Sequence, residues 1–266
     1  MGIIKGKVGN LKKKLLITMG CSFTEGYGCW DDITFSNEML IKSKNHTPNN
    51  PFFGNDNSNI KFHTSELISK NINNFQSKGW PTNLANLMGA TTILNLGKGG
   101  SSNSGQVKEF FRRNLHENPY SDYDVTLVWL MTEPFRISFY IDREIRDFMI
   151  PSQPIWKEYF REIISHHTND LNNGIPIEDA TLESVFYFNI MKTTCIKNNW
   201  NFYTFPLTNI FSKYFTKYES SDNFYKKCII PIKHGDNLKL YSHICGHLNE
   251  LGYRYVAESM YNIIKL

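Results

Sequence analysis

Cysteine is scarce in this 266-residue chain, and the five that occur, Cys21, Cys29, Cys195, Cys228 and Cys245, form an odd set without a Cys-x-x-Cys pair. That argues against a disulfide framework and a cysteine-ligated zinc site, and it predicts a cytoplasmic or other reducing compartment. His46, His63, His166, His167, His234 and His243 fall at no metal-ligand spacing, so no metal is expected. No apolar run is long enough to cross a bilayer. The opening MGIIKGKVGNLKKK lacks the apolar centre and small-residue cleavage site of a secretory signal, and Gly6 stands where a myristoylation signal needs Ser or Thr. Net charge is only +4, with the basic residues scattered, which speaks against a nucleic-acid partner. The Gly-rich stretch at 95–103 fits neither the GxGxxG dinucleotide fingerprint nor a Walker phosphate loop. No cofactor is expected.

What the chain has is a globular composition, 41% apolar and 20% charged, at a length that buries a sizeable core. One domain over residues 1–266 is expected. KLLITM (14–19) reads as a buried strand ended by Gly20. Residues 31–78 lose periodicity and turn Asn-, Ser- and Lys-rich, the mark of an insertion. GWPTNLANLMGA (79–90) predicts a helix with Pro81 at its start, Leu84, Leu87 and Met88 on one face, and Gly89 at its end. TTILNLG (91–97) reads as a second strand, GKGGSSNSG (97–105) as a loop, 107–115 as a helix, and DVTLVWLM (124–131) as a third buried strand. A second insertion at about 135–178, aromatic and charged, includes a helix predicted near 156–166. An amphipathic helix is predicted over 181–197, with Leu182, Val185, Phe186, Ile190 and Ile196 near helical spacing. NFYTFPL (201–207) reads as a fourth strand, and Val256, Met260 and Ile263 at i, i+4, i+7 mark a closing helix.

Strands alternating with helices imply an α/β fold with a central parallel sheet covered on both faces. Ligand crevices in such sheets lie beyond the carboxyl ends of the strands, which gathers the loops after Met19, Leu96 and Met131 on one rim. Ser22 follows the first strand in Gly-Cys-Ser-Phe-Thr. A serine there either caps a helix or exposes a hydroxyl beside backbone N–H groups. A serine hydroxyl attacks only when a base in hydrogen-bond reach takes its proton, and His247, just before the last helix, is the candidate base. Gly97, Gly99 and Gly100 let the backbone approach a ligand and aim N–H groups at a developing oxyanion. Cys21, next to Ser22 on an extended segment, faces the other way and reads as core.

MGCSF, GWPTNLANLMGATTILNLGKGGSSN and GHLNELGYRYVAE together resemble blocks of the SGNH hydrolases, the GDSL esterase/lipase superfamily, along nearly the whole chain. The resemblance implies a three-layer α/β/α sandwich of flavodoxin-like type. It implies Ser22 as nucleophile, His247 as base, the N–H groups of Ser22 and Gly100 as oxyanion hole, and a small-molecule carboxylic ester or O-acetyl carbohydrate as substrate. The chain departs from the family pattern twice. Thr132 stands where the family has an Asn oxyanion donor, with Asn103 or Arg136 as substitutes. Cys245 and Ile244 stand where the acid behind the histidine belongs, leaving Asp236, Glu250 or a backbone carbonyl to orient His247. These departures set an ester hydrolase beside a second reading, a non-catalytic binding or structural module on the same fold. Acyl transfer to a sugar hydroxyl is a third.

Overall fold

The computed structural model describes residues 12–26, 77–134, 136–141, 144–149, 177–231, 234–241 and 247–265. Most of the predicted insertion at 31–78, the helix predicted near 156–166, Cys29 and Cys245 lie outside these residues. Strand β1 (Lys13–Met19) leads into a one-turn helix α1 (Ser22–Glu25). Then come α2 (Trp80–Met88), β2 (Thr92–Asn95), α3 (Asn103–Arg112) and β3 (Tyr123–Met131). A pair of strands, β4 (Arg136–Ile141) and β5 (Glu144–Met149), precedes α4 (Ile177–Lys197), β6 (Asn201–Pro206), α5 (Asn209–Phe215) and the closing α6 (Glu250–Ile264).

Four strands form one sheet in the order β2-β1-β3-β6, all parallel, so every carboxyl end opens on the same rim. Alternation along the strands builds the layers. Leu15, Ile17 and Met19 of β1 join Leu127, Trp129 and Met131 of β3 in one core beneath α3, α4 and α5, with Phe110, Phe188, Met191 and Phe215. Leu16, Val128, Leu130 and Phe205 face the opposite side, where Trp80 and Leu84 of α2 and Tyr253, Val256 and Met260 of α6 cover them. Because side chains alternate with a period of two, strands apolar at every position require both covers. The fold is the three-layer α/β/α sandwich that the sequence implied. Among the described residues no helix is long and apolar enough to cross a membrane.

The structure corrects three local expectations. Helix α3 begins at Asn103 rather than 107, because Ser102 caps it: its hydroxyl accepts from Gly105 N–H at 2.9 Å. Helix α4 buries Ser184, Val185, Phe188, Met191 and Cys195, while Leu182, Phe186 and Ile196 are 45, 61 and 70% exposed. Its abundant apolar residues admit two overlapping stripes, and packing against the sheet selects the one carrying Phe188 and Met191. Leu87 of α2, expected beside Leu84, is likewise exposed. Within the stretch expected as an insertion after 135, β4 and β5 pair antiparallel as a separate sheet packed against α3. Between them the sequence has Asp142-Arg143, without the glycine that marks a short hairpin turn.

Candidate active site

Ser22 is the first residue of α1, at the carboxyl end of β1, and the extended Cys21 is its N-cap. Thr24 and Glu25 N–H groups donate to Cys21 O at 2.9 and 3.0 Å, closing the turn that turns Ser22 toward the rim. His247 is set by the segment on its other side. Leu248 bridges to Tyr241, Asn249 N–H donates to Leu240 O at 2.9 Å, and the Asn249 side chain caps α6 by accepting from Gly252 N–H at 3.0 Å. The two segments bring Ser22 Oγ to 2.8 Å from His247 Nε2. With the ring proton on Nδ1, Nε2 accepts the serine hydrogen. The imidazole also packs against Phe23, ring centroids 4.9 Å apart.

The glycine loop after β2 closes over this turn. Lys98 N–H and Ser101 Oγ–H both donate to Gly20 O at 3.1 Å. The Asn95 side chain accepts from Gly97 N–H at 2.9 Å and donates to Thr24 O at 3.0 Å. Gly97 sits so close that a Cβ there would stand 2.5 Å from Glu25 N. Glu25 is buried at 9% exposure and accepts from Gly99 N–H. Burial pushes its carboxyl above the usual range, against the opposing pull of the Gly99 N–H and Lys98. Beneath the loop Gln106 donates to Ser101 Oγ at 3.1 Å and accepts from the Trp129 indole N–H at 2.6 Å. Gly100 has φ of +78°, and among the described residues neither its N–H nor that of Ser22 donates a hydrogen bond.

Two expected donors are committed elsewhere. Thr132 Oγ–H donates to Glu133 Oε2 at 3.0 Å, and a hydroxyl has one hydrogen to give. The Asn103 amide donates to Thr132 O at 3.0 Å and to Ser184 Oγ at 3.1 Å, while its oxygen accepts from Thr132 N–H at 2.9 Å. The Asn103 amide group is therefore spent on the chain just past β3 and on Ser184 of α4. Neither acid expected behind the histidine makes a hydrogen bond or ion pair to it. Glu250 instead pairs with Lys78 at 3.4 Å and Arg254 at 3.7 Å on the exposed face of α6, and Asp236 is exposed in the short helix Gly235–Leu240. Cys21 is fully buried among Leu16, Trp80 and Leu130. Burial pushes its thiol up, with Arg136 opposing, so it is no rival nucleophile.

Glu25, Gln106 and Ser101 support the site without having been marked in the sequence. A glutamate one turn past the serine looks like any exposed helix residue, and only the loop packed over α1 reveals its role.

No family model matches the chain, and no curated protein matches it. Two solved structures are similar along most of its length. A lipase, Lip_vut3, from a goat rumen metagenome is 10% identical, with 94% of this chain and 97% of that one covered and a TM-score of 0.43. A protein described as lipolytic and of the G-D-S-L family, from Desulfitobacterium hafniense DCB-2, is 11% identical, with 94% and 99% covered and a TM-score of 0.32.

Proposed function

We propose that the chain is a serine hydrolase of SGNH type that cleaves a carboxylic ester, with Ser22 as nucleophile and His247 as general base. The observation that carries this reading is the 2.8 Å contact between Ser22 Oγ and His247 Nε2. As Oγ attacks the ester carbon, its proton passes to Nε2 and the carbonyl oxygen becomes an oxyanion. The N–H groups of Ser22 and Gly100 are the donors proposed for that oxyanion. Collapse breaks the bond to the leaving oxygen, which takes the proton back from His247. Water then repeats the cycle on the acyl-serine, releasing the acid.

No metal or cofactor enters this scheme, and acetyl esters of sugars are the natural first panel beside short acyl esters. A fluorophosphonate probe tests the nucleophile directly: the wild-type chain should label and Ser22→Ala should not. Equal labelling of both would remove Ser22 from the mechanism.

A second reading, a binding module that keeps the fold without turnover, draws on the commitment of the Thr132 hydroxyl to Glu133 and of Glu250 to Lys78 and Arg254. Normal folding with no labelling and no turnover on acetyl and short acyl esters would favour it. Added sugar acceptors separate hydrolysis from acyl transfer by the product formed.

A further inference from the structure

Met19 pairs with Trp129, and a Cβ on Gly20 would stand 3.1 Å from Leu130 O, so the chain leaving β3 runs beside the turn that carries Ser22. The chain past β3 carries Glu133 and Arg136. The Arg136 side chain is only 12% exposed, and among the described residues its one ionic partner is Glu133, with Nε 3.3 Å from Oε2. The contact is misaligned: Nε is buried without a hydrogen-bond acceptor, and among the described residues the guanidinium donates no hydrogen bond at all. Glu133 is meanwhile occupied by the Thr132 hydroxyl. The Cys21 thiol, one residue from Ser22, lies within electrostatic reach of both Arg136 and Glu133.

A guanidinium has five donors in a planar fork suited to an oxyanion. Leaving such a group largely buried with one misaligned partner is costly. A structural ion pair would align its bonds, as Arg112 does to Glu109 with two contacts of 2.7 Å. We propose that Arg136 is a substrate-binding residue that takes an anionic oxygen group, a carboxylate or a phosphate, carried by the ester substrate. Glu133 holds the guanidinium in place, and Thr132 fixes Glu133. This assignment rests on the ester-hydrolase reading for its substrate, but the anion site itself does not depend on turnover.

The test has two independent parts. Mono-4-nitrophenyl succinate and 4-nitrophenyl butyrate are similar in length and differ in charge. Wild type should favour the anionic ester in kcat/KM by roughly 10- to 100-fold, as expected for a charge-assisted hydrogen bond. Arg136→Met should bring that ratio to about one, and Arg136→Lys, a point charge without the fork, should leave an intermediate ratio. Separately, succinate and inorganic phosphate are titrated calorimetrically into wild type, Ser22→Ala and the Arg136 variants. Binding retained in Ser22→Ala and lost in Arg136→Met supports the site, and whichever anion binds identifies its chemistry. If Arg136→Met does not fold by circular dichroism, Arg136→Lys and Arg136→Gln give the same comparison. Neither ester cleaved, with Arg136-dependent anion binding, would overturn the hydrolase reading alone. Cleavage without charge preference, or anion binding that is absent or independent of Arg136, would overturn the anion site alone.

Discussion

Ser22 Oγ and His247 Nε2 stand 2.8 Å apart although 225 positions separate them in the chain. Serine at a strand end and histidine before a helix are each ordinary, but together they form the hydrogen-bonded pair on which the proposed proton transfer rests. Ser22→Ala and His247→Gln should each lower kcat/KM on a cleaved ester by about 10^4-fold or more. Thermal melts should stay close to wild type, since the contact is one partly buried hydrogen bond. A residual rate within tenfold of wild type in either variant would exclude the pair as catalytic.

The two glycines of the loop should fail in different ways. Gly97→Ala forces a methyl against the backbone of Thr24 and Glu25, at 2.6 and 2.5 Å, and should cost about 1 to 3 kcal/mol. Gly100→Ala meets no neighbour within 4 Å but must hold φ of +78°, a strain of about 1 kcal/mol. Urea denaturation ranks the two, and Gly100→Ala should lose more activity than its stability change explains, because its N–H moves with the strained backbone.

Asn103→Ala should act on stability before activity. It leaves the buried Thr132 N–H and O without their side-chain partner, a loss of about 2 to 4 kcal/mol by chemical denaturation. A fall in kcat of about 100-fold with unchanged stability would instead return Asn103 to the oxyanion hole.

Glu25 should imprint a pH dependence on folding. Burial raises its folded-state pKa above the ordinary 4.5, so the folded chain holds this proton more tightly than the unfolded one. Its contribution is most favourable below about pH 4.5 and declines as pH rises through the raised value. Glu25→Gln keeps an oxygen for Gly99 N–H and should remove that step from a plot of Tm against pH. An unchanged plot would show that Glu25 does not titrate there.

Glu109 should show the opposite sign. Hydrogen bonds from Arg112, with Arg113 beside it, hold its carboxyl down at about 2, so its stabilising contribution is present above about pH 4.5 and is lost as pH falls toward 2. Both arginines are largely exposed, so the effect is small and screened by salt. Glu109→Gln should flatten the acid limb at low ionic strength and change little at high salt.

Much of the fold was legible because it is local chemistry. β1 and β3 are apolar at successive positions, which only a sheet covered on both faces accommodates, and Gly20, Gly89 and the 97–100 glycines punctuate the chain where turns and helix ends form. Helix α4 was less legible. Leu182, Phe186 and Ile196 are as apolar as Val185, Phe188 and Met191, and periodicity cannot choose between two stripes on one helix. Asn103 and Thr132 looked like donors because their side chains carry the right atoms. Which hydrogen goes where depends on neighbours such as Ser184 and Glu133, which only the folded chain supplies.

The sequence by itself determined the parallel α/β order, the rim on which the three loops meet, and the residue types on that rim, since each follows from spacing and backbone preference over a few residues. Only the tertiary structure decided that Ser22 reaches His247, that Glu25 is buried beneath the glycine loop, that Glu250 turns away to Lys78 and Arg254, and that Arg136, nearly buried, has one misaligned ionic partner among the described residues. Those outcomes depend on distances between segments remote in the chain, which are set by how the helices pack on the sheet.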